Sequence, residues 1–224
     1  LMNYKGVIFD LDGTLLDTIE DITSALNTVM LRHGFKQFSI EEAKKMVGDG
    51  MRELMVRAKP ELTGQPELID ALVNEFRQEY ARVWREHSRP YPGIPELLTE
   101  LNEKGLKLAV LSNKAHPFTE IMVKELLPVP FQAVLGSQPG IPLKPDPAPA
   151  RLVLQELNLR PDEVLYVGDT AVDMKTALAA GLIPVGVMWG FREARELLDN
   201  GARALLLKPA DLLPLVFDEK RLSD

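Results

Sequence analysis

Residues 4–17 read YKGVIFDLDGTLLD. Val7-Ile8-Phe9 is a short apolar run, β-branched and aromatic, of the kind that makes a strand buried on both faces. It stops at acid. Asp10 and Asp12 follow at once, and because side chains alternate along an extended chain, residues two apart point the same way. Gly13 then lets the backbone turn. Two carboxylates converging at the end of a buried strand repel, so each has its pKa raised unless a cation or a hydrogen-bond donor compensates. A hard divalent metal is the simplest remedy. An isolated D-x-D-G also serves as a plain strand followed by an Asp-Gly turn, so the rest of the chain decides.

Downstream, the pattern is first helical. Ile22, Ala25, Leu26, Val29 and Met30 recur at helical spacing over 18–33, and Gly34 is placed to end that helix. A short helix is expected after Ser39, with Glu41 and Glu42 in its first turn. Val47-Gly48-Asp49-Gly50 breaks it. A third helix carries 51–58, and a fourth, from Pro66 to about Glu86, is read with Leu68, Leu72, Phe76, Tyr80 and Trp84 on one face. Two prolines and a glycine in 88–93 stop helix propagation. Beyond them, short apolar strands near 106–111, 133–135, 164–167, 183–188 and 204–207 alternate with helices near 94–104, 117–127, 148–158, 170–180 and 192–198. Such alternation indicates a parallel sheet covered on both faces. The fold class is therefore α/β, a Rossmann-like parallel-sheet core with an inserted all-α segment. The expected division is 1–15 with 90–224 for the core and 16–89 for the insertion, whose two junctions are expected to act as hinges.

The chain has 224 residues, 46% hydrophobic and 26% charged, with a net charge of -7. That supplies enough apolar material for a real core. The acidic balance argues against a nucleic-acid partner, since phosphate backbones select basic faces. The absence of cysteine excludes disulfides, thiol catalysis and cysteine-ligated zinc. No apolar run approaches the length of a membrane span, and no signal-peptide pattern opens the chain, so a cytoplasmic protein without a membrane partner is expected. Leu1, ahead of Met2, is set aside as an expression residue.

Parallel α/β sheets place ligand sites at the carboxyl ends of their strands. Those ends carry Asp10 and Asp12, then Ser112-Asn113, then Gly168-Asp169-Thr170-Ala171-Val172-Asp173, with Lys144 in a proline-rich loop nearby. Each has a bland reading. Ser112 could cap the following helix, Lys144 could be a solvated lysine, Asp169 an N-cap and Asp173 a first-turn acid. The bland readings leave unexplained why four acids, one hydroxyl and one cation all arrive at one sheet edge. A metal-phosphate site explains it.

DLDGTLLD, the SNK of 112–114, the KPDP beginning at Lys144 and the GDTAVD of 168–173 resemble, in order, the four motifs of the haloacid dehalogenase superfamily. The helical insertion resembles the small cap of its phosphoglycolate phosphatase-like and β-phosphoglucomutase-like members, and VGDGMRELMVRA with VMWGF is most similar to the former. The resemblance implies a magnesium-dependent hydrolase of a small phosphorylated metabolite, most similar to one acting on 2-phosphoglycolate. It implies Asp10 as nucleophile, forming an aspartyl phosphate, and Asp12 as acid and then base. Mg2+ would be held by the Asp10 carboxylate, the Asp12 carbonyl, Asp169 and Asp173. Gly13, Thr14, Ser112, Asn113 and Lys144 would gather the phosphoryl oxygens.

Arg52 is the candidate reader of a substrate carboxylate, because a guanidinium pairs with it bidentately; a solvent-exposed helix arginine is the bland alternative. His33, His87 and His116 are read as structural and the Phe76-Tyr80-Trp84 stripe as packing. A β-phosphoglucomutase-like mutase would use the same nucleophile, with Arg52, Lys44 and Lys45 keeping that reading open. A dehalogenase needs neither Asp12 nor the GDTAVD pair, a phosphoacceptor receiver domain lacks an inserted cap, and a silent binding protein needs none of the motifs. A monomer or homodimer is expected.

Overall fold

The computed structural model describes residues 4–217, so Leu1 and the outer ends of the two core segments lie outside the described residues. The chain opens with β1 (Gly6–Phe9) and β2 (Leu16–Asp17), then runs through four helices, α1 (Ile19–Arg32), α2 (Ile40–Met46), α3 (Met51–Ala58) and α4 (Pro66–Val83). After β3 (Arg89–Pro90) it alternates: α5 (Ile94–Glu103), β4 (Lys107–Ala115), α6 (His116–Leu126), β5 (Ala133–Ser137) and α7 (Ala148–Leu157). It closes with β6 (Val164–Gly168), α8 (Ala171–Ala180), β7 (Ile183–Val187), α9 (Ala194–Asp199), β8 (Ala204–Leu206) and α10 (Leu212–Phe217).

Six strands form one parallel sheet in the order β5-β4-β1-β6-β7-β8. All four residues of β1 are buried, as a central strand covered on both faces requires. Val7 and Phe9 enter one core with Leu108, Val110, Leu165 and Val167, while Ile8 enters the other with Ala109, Leu111 and Tyr166. The first of these cores continues without a break into α1, α3 and α4. Because the chain builds outward from β1 first on the β4 side and then on the β6 side, the C-terminal end of β1 is the switch point of the sheet. Open α/β sheets leave a crevice at such a point.

The four helices leave and rejoin the sheet through a two-stranded antiparallel ribbon, with Leu16 opposite Pro90 and Asp17 opposite Arg89. Just before the return strand, the fully buried Asp21 of α1 accepts from the backbone N–H groups of His87 and Ser88, from Ser88 Oγ, and pairs with His87 Nδ1 at 3.0 Å. The short helix after Ser39 has the reciprocal cap its sequence predicts, Ser39 Oγ accepting from Glu42 N–H and Glu42 accepting from Ser39 N–H.

Three details differ from the sequence reading. Leu68 is 47% exposed, and the buried stripe of α4 is Ile69, Leu72, Phe76 and Tyr80. The helix starts at Pro66 as expected, and it is Ile69, three residues before Leu72 and seven before Phe76, that faces the core, with Leu68 at the edge of that face. The strand expected to stop at Leu111 runs on as β4 to Ala115, with an irregularity in its pairing to β5 between those two residues. The final helix, α10, was not anticipated, because Leu212, Leu213 and Leu215 with an internal Pro214 present no clear period.

Candidate active site

β1 delivers Asp10 to the switch point, but the alternation argument does not carry through to Asp12. The strand ends at Phe9, and the next residues form a turn in which Thr14, Leu15 and Leu16 all direct their N–H groups to the Leu11 carbonyl. The two carboxylates are accordingly in different surroundings. Asp10 lies with Asp169 and Asp173 in a buried cluster in which one carboxylate oxygen from each falls within 4.8 Å of the other two. Asp12 lies outside that cluster, where Thr18 Oγ1 donates to it at 2.6 Å and Lys114 Nζ at 3.0 and 3.2 Å.

Lys144 is buried, which excludes the surface-lysine reading. Its Nζ reaches Asp173 Oδ1 at 2.7 Å, Asp10 Oδ1 at 3.1 Å and the Leu111 carbonyl at 3.1 Å. Burial works against its charge, yet the two carboxylates hold it protonated, well above the usual lysine range. Three carboxylates and one ammonium leave a formal charge of -2 in this cluster. Burial, and then repulsion from Asp173, push the Asp10 carboxyl well up and the Asp169 carboxyl up to about 7. An all-oxygen, buried, doubly negative cluster fits a hard divalent cation, which would relieve both effects.

The surrounding residues orient these acids. Asp169 accepts from Thr14 Oγ1 at 3.0 Å and from the Phe191 N–H at 2.9 Å. Thr170, not Asp169, caps α8; Asp173 is the reciprocal member of that cap, its Oδ2 accepting from Thr170 N–H and Oγ1. The first-turn-acid reading of Asp173 thus describes one of its oxygens, and the ion pair with Lys144 uses the other. Gly13 has φ +82, and a Cβ there would run into the Asp169 carboxylate; a Cβ on Gly190 would meet both Asp169 and the Gly13 carbonyl. Glycine at both positions lets the β1 turn and the loop after β7 close tightly on Asp169.

Ser112 caps no helix. α6 begins after Ala115 without a side-chain cap, and Ser112 Oγ instead accepts from the Lys114 N–H within β4. Asn113 spends its side chain on backbone, accepting from Lys144 N–H at 2.9 Å and donating to the carbonyls of Lys144 and Gly48. It fixes the Lys144 loop and ties it to the helical segment.

Asp10, Asp12, Ser112, Asn113, Lys114 and Thr170 form the polar floor of a cavity of about 50 Å³. Its opposite wall, from the helical segment, is Ile22, Val47, Gly48, Gly50, Met51, Leu54, Phe76 and Tyr80. Phe76 and Tyr80, read as packing, are both core and wall. Arg52 is not in this cavity. Its side chain is 56% exposed and paired with Asp70 at 3.2 Å, because two residues along α3 is more than half a turn, which puts Arg52 on the side away from Leu54 and the cavity. Gly13, Thr14 and Lys144 also lie outside the lining; the first two act on Asp169, and Lys144 acts on Asp10 and Asp173.

Lys114 is the cation the sequence reading passed over, although the SNK run contains it. Its side chain is 5% exposed, paired with Asp12 and placed 4.4 Å from the centre of the Tyr80 ring. Burial opposes its charge, but Asp12 and Tyr80 raise its pKa above the lysine range. The three histidines stand outside the cavity lining.

A family model described as haloacid dehalogenase-like hydrolase matches residues 7–187. The phosphoglycolate phosphatase of Aquifex aeolicus is 31% identical, with 95% of this chain and 96% of that protein covered. The N-acetylmuramic acid 6-phosphate phosphatase of Pseudomonas aeruginosa is 33% identical, with 96% of each covered. Among solved structures, a Lactobacillus delbrueckii protein with a provisional phosphoglycolate phosphatase assignment superposes with a TM-score of 0.89 at 31% identity, over 97% of this chain and 100% of that one.

Proposed function

This chain belongs to the haloacid dehalogenase-like hydrolases and is a phosphoric monoester hydrolase, and from that premise we propose that it cleaves a small phosphomonoester through an aspartyl phosphate on Asp10, with magnesium held by Asp10, Asp169 and Asp173. The observation that carries this is the separation of the two leading acids. Asp10 sits in the doubly negative cluster beside Lys144, and Asp12 sits outside it on a hydroxyl and an ammonium. One carboxylate is set to attack and the other to exchange a proton.

In this reading Asp10, Asp169 and Asp173 would hold magnesium, which would supply positive charge to offset that of the phosphoryl group. Asp10 attacks phosphorus in line with the leaving oxygen. Asp12 gives that oxygen a proton as the alcohol departs, then takes one from the water that opens the aspartyl phosphate. Ser112 and Lys144 draw the equatorial oxygens to the floor. The helical segment 16–89 acts as a cap that excludes bulk water.

The substrate reading is 2-phosphoglycolate, supported by the names of several relatives and by the small cavity. With Arg52 turned away, Lys114 is the cation placed to meet a substrate carboxylate. The wall facing it is apolar and offers nothing to a second phosphate, which favours hydrolysis over a bisphosphate-handling mutase. N-acetylmuramic acid 6-phosphate is a second reading, favoured by the 33% identity to a phosphatase named for it.

Phosphate release from 2-phosphoglycolate, N-acetylmuramic acid 6-phosphate and β-glucose 1-phosphate, with Mg2+ or with EDTA, tests this. The expected outcome is metal-dependent release fastest from 2-phosphoglycolate. Preference for the sugar acid phosphate would replace the substrate and keep the chemistry, and absence of release from all three with sugar-phosphate interconversion would make the protein a mutase.

A further inference from the structure

The last turn of α2 ends in the carbonyls of Lys44, Lys45 and Met46, beyond the last helical N–H, at the negative end of the helix dipole. Two guanidinium groups meet them. Arg57, from within the helical segment, donates to the Met46 carbonyl at 3.0 Å. Arg192, from the sheet side, donates to the carbonyls of Lys44, Lys45 and Val47, the last at 2.9 Å. The Arg192 side chain is only 15% exposed, and its Nε is steadied by Glu196 at 3.4 Å.

Arg192 is placed on a loop with three other attachments. The Trp189 indole N–H donates to the Thr14 carbonyl at 2.9 Å, the Phe191 N–H donates to Asp169, and the Phe191 ring lines the cavity. Directly after the carbonyls that Arg192 holds come Gly48 and Gly50 of the cavity wall. One short loop therefore grips the β1 turn, a carboxylate of the acidic cluster and the end of a helix on the far side of the cavity.

We propose that Arg192 is a positioning residue that latches the helical segment shut: its guanidinium plugs the C-terminal end of α2 and so seats the 47–50 turn over Asp10 and Asp12. The proposal rests on the reading of this cavity as the phosphatase site only for its effect on catalysis. When the segment swings away, α2 keeps its contact with Arg57 and loses those with Arg192. The fork matters as well as the charge, since three carbonyls are shared between two nitrogens, a pattern a lysine ammonium does not reproduce.

The test is hydrogen–deuterium exchange of the whole protein in Mg2+, for the unaltered chain, Arg192→Gln and Arg192→Lys, alongside kcat and KM. In Arg192→Gln, amides of 44–50 are expected to exchange at least about tenfold faster, matching the loss of one charge-assisted hydrogen bond, while β1 and β6 keep their protection. kcat/KM is expected to fall by a similar factor, with Arg192→Lys intermediate in both. Unchanged exchange at 44–50 overturns the latch, and so does faster exchange there with unchanged kcat/KM. If Arg192→Gln loses protection throughout, Arg192→Lys decides: local loss supports the latch and none overturns it. Should the unaltered protein release no phosphate from any substrate, the functional reading fails, and the exchange at 44–50 still judges the latch.

Discussion

Lys114 shows what a residue-by-residue reading of sequence catches and misses. Asp10, Asp12, Ser112, Lys144, Asp169 and Asp173 were legible because each is an unusual type at a strand end, and together they exceed what helix caps and turns require. A lysine next to them reads as solvated, and only the extension of β4 past Leu111 buries it against Asp12 and Tyr80. Arg52 failed the opposite way: a guanidinium beside a glycine break is chemically apt, but the turn of α3 aims it at Asp70. Asp10→Asn is expected to abolish phosphate release; retained turnover would remove Asp10 as nucleophile. Asp12→Asn is expected to leave a slowly hydrolysed phosphoenzyme, visible as a burst in single-turnover kinetics. Lys114→Met leaves Asp12 with Thr18 alone and is expected to lower kcat about 10²-fold, the scale of one lost electrostatic donor at a reacting centre.

At the scale of elements, the period of the apolar residues located α1, α3 and the strands, because both cores are built by strict alternation or by one helical face. Phase was harder. In α4 the choice between Leu68 and Ile69 is one residue, or 100° of helix, and the sequence offers an aliphatic side chain at both. Ile69→Ala is expected to cost about 2–5 kcal/mol in denaturant unfolding and Leu68→Ala well under 1 kcal/mol. At the return junction, Asp21 holds His87 and Ser88 beside the ribbon that joins the helices to the sheet. Its hydrogen bond to His87 raises that imidazole above 6.5. A base whose pKa is higher in the folded chain adds stability that is present below pH 6.5 and lost as pH rises through the folded value. Unfolding measured across pH 5.5–8.5 should show that component, and His87→Ala should remove it.

For the whole molecule, the sheet and the helical segment share one continuous core, so the site at their junction is built by long-range closure. Motif order revealed that all the acids reach one edge. The surroundings of Asp12, the apolar wall and the grip of Arg192 on α2 depend on contacts between residues 65 to 148 apart along the chain, which no local pattern encodes. The closure also stores repulsion. Burial, and then repulsion from Asp173, push the Asp169 carboxyl from an ordinary 3.8 up to about 7, so between those values the native protein binds more protons than the unfolded chain. The metal-free protein is therefore expected to lose stability as pH rises across that window, and saturating Mg2+ should flatten the slope; denaturant unfolding in EDTA and in Mg2+ at pH 5 and pH 7.5 checks it. Trp189, tied by its indole N–H to the turn after Asp10, has a further consequence. The chain has two tryptophans, and the other, Trp84, is buried at the end of α4. Trp84→Phe would leave a single emitter two residues from the amide that holds Asp169, giving the molecule a built-in fluorophore whose spectrum follows events at the acidic cluster without any added label.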